Sequence, residues 1–529
     1  MRRIHPSAWL FALLSAVLQI LIFPLPNLYW LSWIAVAPLI VALLRAHPPQ
    51  GLQIDAGGRF EAAGPAQGFL LGYLCGIIWY AGTCYWVFAT MKQYGGLNAV
   101  AATAILLLFC LYLGLYHGAF GLLISLLARR SGIRWPLVCA PFLWVAIELA
   151  RTRLSGFPWD LLGTTQVDNI PLAHIATVAG VYGLSFEIMV VNVAVAAAFL
   201  VHRSRRNQLF WAAWAAAVVL QAGRWLPPAE VPSDHVARLV QQNIPVLQGA
   251  DWTRDYFEET LHELVNLSLQ APDAEPVSPQ LIVWPESPAP FYSSDPLFRG
   301  TISELARRAN AWLLVGNLGT RNASETPQPA NEIYNSASLV SPAGEWTARY
   351  DKIHLVPFGE YLPFKRVFGF AGGLTKEVGD FARGSSRKPL SAGYSQLGVF
   401  ICYESIFPDE VRQLAKNGAQ VFVNISNDGW YGDSGAYAQH LKQARMRALE
   451  NARWLLRDTN TGVTAAIDPQ GRVVQSVDRK IRTAQDARYS LSNVTTFYTR
   501  WGDWFAYLCA IISAAAVTAR YVPRTALSK

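Results

Sequence analysis

Apolar run length constrains this chain more than any other feature, because a helix needs about 20 apolar residues to cross a bilayer. Eight runs approach that length, near 8–25, 28–45, 67–90, 99–127, 136–150, 171–201, 209–225 and 503–522, the fifth short and the sixth long. Between the last two lies a stretch of ordinary soluble composition. Three regions follow: 1–227 as a transmembrane region of about seven helices, 232–493 as an α/β domain, and 503–522 as a closing transmembrane helix. Hydrophobic residues make up 52% of the chain and charged residues 15%, against about 25% charged in a soluble domain. The net charge of +8 is spread through short loops and forms no basic stripe, which argues against nucleic acid as a partner.

Loop charges orient the runs. With the N-terminus inside, the inner side holds Arg2, Arg3, Arg45, Arg59, Arg129, Arg130, Arg134, Arg203, Arg205, Arg206, Arg520, Arg524 and Lys529. The outer short loops hold only Lys92, Arg151 and Arg153. Both termini are then cytoplasmic and the 232–493 domain lies outside. The first run reads as a retained helix rather than a cleaved signal, since it lacks a small-residue cleavage site and a second run follows closely. The polar segment 151–169, with Phe157, Trp159, Leu161 and Leu162, reads either as a loop with an aromatic interface anchor or as part of a lateral opening for lipid.

Within the soluble region, VARLVQQNI (236–244), PQLIVWPES (279–287), AWLLVGNLG (311–319), SQLGVFICYES (395–405) and AQVFVNISND (419–428) read as buried strands ending in polar residues. Stretches 256–269, 297–310, 408–417 and 439–457 read as helices. The alternation predicts an α/β fold with functional residues at strand ends.

Of six Cys, five (Cys75, Cys84, Cys110, Cys139 and Cys509) fall inside apolar runs and read as small buried hydrophobes. Cys402 is alone in the soluble region, where it reads either as a nucleophile or as a structural thiol. Three patches place an ionisable group at a strand end: IVWPES with Glu286, YDKIHLVPFGEYLPF with Lys352, His354 and Glu360, and FICYES with Cys402. A thiol attacking an acyl carbon needs a base and a positive donor for the developing oxyanion. Glu286 can move the proton, and Lys352 can stabilise thiolate and oxyanion. His354 and His440 read as hydrogen-bonded structural residues.

Glu286, Lys352 and Cys402, in this order and with these flanks, resemble the Glu–Lys–Cys triad of the nitrilase superfamily over about 236–490. With the eight runs, the motifs WPES, DKIHLVPFGEYLPF, CYES, NISNDGWYGDS and LLRDTNTGVTAAID are similar to the apolipoprotein N-acyltransferases. That resemblance implies an eight-helix transmembrane bundle carrying a periplasmic nitrilase-like αββα sandwich, in a bacterial inner membrane. It assigns catalysis to Glu286, Lys352 and Cys402, with support from Glu360, Tyr403, Glu404 and Trp252. It implies a monomer that uses no metal or organic cofactor. The implied partners are a phospholipid acyl donor and a diacylglyceryl apolipoprotein acceptor, joined through a cysteine thioester in the last step of lipoprotein maturation. QQNIP and DGWYGDSGAYAQH depart from the family's usual loops and leave the triad intact. Two other readings stand beside this one. A membrane-tethered amidase or nitrilase would share the triad and use water; a transporter or ligand-binding protein is disfavoured because Glu148 and Glu187 are the main ionisable residues inside the runs.

Overall fold

The computed structural model describes residues 3–48, 61–200, 203–222, 231–246, 252–271, 278–287, 289–320, 332–361 and 381–519. The chain forms two units, one from Met1–Phe88, Val100–Pro228 and Trp501–Lys529, the other from Ala89–Ala99 and Ala229–Arg500.

Every apolar run carries helix, with ends set by local chemistry. The first is Pro6–Leu21, and the second breaks into a 3-10 turn, Tyr29–Trp33, and the helix Ala37–Leu44. The third bends by 52° between Pro65–Thr83 and Trp86–Gln93. Ala99–Ser131, Arg134–Ala150, Ala176–Leu200, Arg203–Ala222 and Trp504–Thr518 complete the set. Among the described residues, Ala99–Arg129 and Ala176–Leu200 are long and apolar enough to cross a membrane, and the bent pair is a third candidate. The other apolar helices are shorter.

Close approach between Pro65–Thr83 and Ala99–Ser131 depends on glycine. A Cβ on Gly72 would lie 2.2 Å from the His117 carbonyl oxygen, and one on Gly121 would lie 2.1 Å from that of Gly68. Small residues spaced four apart let helix backbones touch in this way. Segment 151–169 departs from the interface-anchor expectation, because Phe157, Trp159, Leu161 and Leu162 are all buried inside this unit. Polar bonds hold it there: Arg151 donates to the Tyr80 hydroxyl (2.9 Å) and the Trp159 carbonyl (2.8 Å), and Glu148 accepts from the Leu162 amide (2.8 Å). Arg151 is therefore an internal brace of this segment.

In the second unit the described residues form twelve strands: β1 His235–Gln241, β2 Leu281–Val283, β3 Trp312–Thr320, β4 Ile333–Val340, β5 Trp346–Asp351, β6 Leu390–Ala392, β7 Ser395–Ile401, β8 Val421–Ser426, β9 Leu455–Thr459, β10 Thr464–Ile467, β11 Val473–Val477 and β12 Thr483–Tyr489. They make two six-stranded sheets, ordered β12-β1-β2-β3-β4-β5 and β11-β10-β9-β8-β7-β6. β1, β2 and β3 run parallel in one sheet, as do β7, β8 and β9 in the other.

Successive strand residues face opposite sides, so apolar strands such as these must be covered twice. Leu239, Val283 and Leu314 of the first sheet share a core with Val399, Val423 and Leu456 of the second. On the outer faces, Val240, Ile282 and Leu313 meet helices Arg254–Leu269 and Pro296–Ala309, while Phe400, Phe422 and Leu455 meet Pro408–Lys416 and Ala436–Asn451. The result is the expected helix–sheet–sheet–helix order. Local signals set the helix ends: Thr253 and Asp295 cap two N-termini, and Asn310 and Ala452 end two helices in left-handed backbone.

Segment Ala89–Ala99 belongs to this unit although it lies far away in sequence. The Thr90 hydroxyl donates to the Trp430 carbonyl (3.0 Å), and the Tyr94 hydroxyl donates to that of Gly429 (2.8 Å). The Tyr94 and Trp430 rings meet edge to face at 5.3 Å.

Leu456 is fully buried between the sheets. Leu456→Ala is expected to destabilise the α/β unit by about 2–5 kcal/mol, read as a lowered midpoint in thermal unfolding of the detergent-solubilised protein.

Candidate active site

Strand ends of both sheets supply the site. Glu286 follows β2, after Trp284, whose indole is buried and donates to the Ser268 hydroxyl (2.8 Å). Lys352 directly follows β5, and Glu360 lies eight residues beyond it. Cys402 directly follows β7 in a left-handed backbone conformation, φ +51°, that is rare for a residue with a side chain.

Lys352 is 1% exposed. Its Nζ donates to Oε1 of Glu286 (3.2 Å) and to Oε1 of Glu360 (2.8 Å). The Asn335 amide on β4 donates to the same two oxygens, at 2.8 and 2.7 Å. The opposite oxygens accept from backbone: Glu286 Oε2 from the Asn427 amide (2.7 Å) and Glu360 Oε2 from the Val356 amide (2.8 Å). Burial alone would push the Lys352 ammonium down, but Glu286 and Glu360 overcome it and hold it well above the ordinary lysine range. Lys352 therefore stays charged.

The Cys402 thiol is buried, and burial, reinforced by the Glu286 carboxylate, pushes it above the ordinary cysteine range despite the opposing pull of Lys352. It rests as a thiol. For a thiol in this state to act as a nucleophile it would have to lose its proton as it attacks, which calls for a base beside it and not merely a positive field.

Glu404 ties the two sheets' contributions together. One carboxylate oxygen accepts from the Ile353 (2.6 Å) and His354 (3.1 Å) amides, next to Lys352. The other accepts from the Ile401 amide (2.7 Å), beside Cys402, and from the Tyr350 hydroxyl (2.9 Å). Tyr403 packs edge to face on Phe407, and Phe407 stacks on His354 at 4.1 Å. His354 faces Glu410 at 2.9 Å, in keeping with its structural reading.

The structure thus brings Glu286, Lys352 and Glu360 into one cluster, with Cys402 in its field and Glu404 bracing both loops. Trp252 lies instead beside Tyr256 at 5.0 Å, on the helix-covered outer face of the first sheet. Asn335 and Asn427 were not anticipated. Asn335 stands in a strand that also holds Ser336 and Ser338, so its amide gives no distinct signal; Asn427 acts through its backbone, which no side-chain pattern reports.

Residues 236–497 match the family described as Carbon-nitrogen hydrolase, so the two-sheet unit with its buried ammonium, carboxylates and thiol is a carbon-nitrogen hydrolase domain. Residues 15–194 match the Apolipoprotein N-acyltransferase N-terminal domain. The Apolipoprotein N-acyltransferase of Geobacter metallireducens is 35% identical over 522 residues, 97% of this chain and 94% of the relative. Those of Nitrosomonas europaea and Methylococcus capsulatus are 34% and 35% identical, covering 86% and 85% of this chain and 89% and 87% of the relatives. Among solved structures, a carbon-nitrogen hydrolase from Helicobacter pylori G27 aligns with a TM-score of 0.36 at 18% identity, covering 48% of this chain and 88% of that one. The chain belongs to the apolipoprotein N-acyltransferase family and is an acyltransferase, which sets aside the transporter reading.

Glu286 raises the Cys402 thiol and Lys352 lowers it. Glu286→Gln should therefore let Cys402 ionise at lower pH than in the wild type, and Lys352→Met at higher pH. The pH dependence of iodoacetamide labelling at the Cys402 peptide checks this; the opposite order of the two variants would contradict the geometry.

Proposed function

We propose that this chain transfers a fatty acyl group from a membrane phospholipid to the N-terminal amine of a diacylglyceryl-cysteine apolipoprotein. The observation that carries the chemistry is the Lys352 ammonium held between two carboxylates in the field of a buried thiol. In the first step the Cys402 sulfur attacks the acyl ester carbon while Glu286 takes the thiol proton. Lys352 stabilises the developing oxyanion, and electrostatic stabilisation of this kind is usually the largest single catalytic contribution. As the oxyanion collapses, the ester C–O bond breaks and Glu286 returns the proton to the departing lysophospholipid oxygen. A Cys402 thioester remains.

In the second step the lipoprotein α-amine attacks the thioester. Glu286 accepts a proton from nitrogen, the C–S bond breaks, and that proton returns to sulfur. The product is an amide and the thiol is restored. Glu360 and Asn335 keep Lys352 and Glu286 in register without moving a proton in this scheme. Glu404 and Tyr403 shape the nucleophile turn, and Trp252 supports the sheet's outer face.

Membrane placement rests on the apolar helices together with the loop charges. The reading has eight spans, a periplasmic α/β domain, both termini in the cytoplasm and a single copy of the chain. It suits substrates whose acyl chains stay in lipid throughout.

Incubation with a dipalmitoyl phospholipid is expected to add one palmitoyl group to the Cys402 peptide by mass spectrometry. The adduct should be absent from Cys402→Ala and nearly absent from Cys402→Ser, since a hydroxyl ionises far less readily than a thiol. A diacylglyceryl-cysteine peptide should then discharge the adduct as an amide; release only as free acid would make water the acceptor and overturn the transferase reading. A reporter fused after Val522 should be active in the cytoplasm, and periplasmic activity there would break the eight-span topology.

A further inference from the structure

One buried chain of polar groups takes no part in the steps above. It begins at Arg457 on β9, passes through Asp428 and His440, and ends on the backbone carbonyl of the nucleophile. The three side chains are 0–1% exposed. Arg457 Nη2 donates to both Asp428 oxygens, at 2.8 and 3.1 Å, and its other terminal nitrogen donates to the Asn424 side chain. Ser426 also donates to Asp428 (2.8 Å). His440 Nδ1 lies 3.0 Å from Asp428 Oδ1 and 3.1 Å from Arg457 Nη2, and its Nε2 lies 3.0 Å from the Cys402 carbonyl oxygen. The Tyr431 ring packs edge to face on the imidazole.

A carbonyl oxygen carries no proton, so the Nε2 contact exists only if Nε2 is the donor. Burial, and then the Arg457 charge, hold His440 below the ordinary histidine range, which keeps the ring neutral. Asp428 opposes that shift but does not outweigh it; Nδ1 then carries the lone pair and accepts from Arg457 Nη2, which also donates to the Asp428 oxygen that Nδ1 faces at 3.0 Å. Polarity runs one way along the chain, from guanidinium to imidazole to carbonyl.

That carbonyl belongs to a residue whose backbone needs holding. Left-handed backbone in a residue with a Cβ persists only where its surroundings over-determine it. Glu404 holds the Cys402 turn from the preceding amide, that of Ile401, and His440 holds it from the carbonyl side. We propose that His440, oriented by Arg457 and Asp428, is a positioning residue that fixes the left-handed Cys402 backbone and so keeps the thiol directed at Glu286 and Lys352. The kinetic consequence rests on the acyl-transfer reading; the effect on thiol reactivity does not.

The test compares His440→Gln, whose amide nitrogen can occupy the place of Nε2 and donate, with His440→Leu, which cannot donate. Both are made in the full-length enzyme, and rates are expressed per mole of protein that retains a cooperative thermal unfolding transition. With a dipalmitoyl phospholipid, His440→Leu is expected to lose roughly 100-fold in the rate of Cys402 acylation at unchanged KM, as small misplacements of reacting groups do. His440→Gln is expected to stay within about tenfold of wild type, a difference of one logarithmic unit in rate. In parallel, iodoacetamide labelling of the Cys402 peptide at neutral pH should slow in His440→Leu and recover in His440→Gln. Equal rates in all three proteins would overturn the proposal, and so would equal losses in both folded variants, because shape rather than the donor would then matter. A wild-type enzyme that never acquires an acyl group would refute the proposed function, while the labelling comparison would still decide the role of His440.

Discussion

An ammonium group with 1% exposure persists inside a protein only where carboxylates meet it in good geometry. Lys352 has two, and the rest of the site is arranged around satisfying all three charges at once. Glu286 follows β2, Asn335 sits on β4 and Lys352 follows β5, so one sheet supplies most of the cluster. The Asn427 amide, after β8, brings the second sheet to Glu286. Loss of the Lys352 ammonium would leave two carboxylates buried and uncompensated, at a cost of roughly 3–5 kcal/mol, whereas loss of either glutamate would leave the ammonium paired with the other. Through the Asn427 amide the cluster also joins the two sheets at this end of the sandwich.

The same economy appears in Glu404 and in the turn Asn427–Tyr431. Glu404 accepts from the loop after Lys352 and from the residue before Cys402, so the ammonium and the thiol share one frame. The turn reaches Glu286 through the Asn427 amide and His440 through Asp428. The ionisable groups of the candidate site, on separate strands, are thus held by short polar links rather than by apolar packing alone. Such links are directional and tolerate little displacement.

Much of this was legible in the sequence, for identifiable reasons. The buried strands β2 and β7 are apolar runs, and Glu286 and Cys402 follow their ends; Lys352 instead follows β5, an edge strand of mixed character, and is marked by its flanking motif rather than by a buried run. The edge strands β6, β11 and β12 and the four-residue β10 are short or mixed in character and give no comparable period. Asn335 escaped because its partners lie 49 and 25 residues away, a pairing that only the fold creates. The burial of Arg151 is not legible in the sequence, because the tyrosine hydroxyl and tryptophan carbonyl that satisfy it are brought to it only by the fold. Run length located every apolar helix but not its ends, since proline, glycine and bends shorten helices inside runs that remain apolar.

Segment Ala89–Ala99 raises a separate point about what counts as a domain. In sequence it is the connection between two apolar helices; in structure its Thr90 and Tyr94 grip the Gly429–Trp430 turn, one residue from Asp428 and two from Asn427. The α/β unit is therefore stitched from two stretches separated by more than a hundred residues. A clone cut at the apparent boundaries would encode the ammonium, the carboxylates and the thiol yet omit the strap over the turn beside them. For such a protein the gene segment and the catalytic body are different objects.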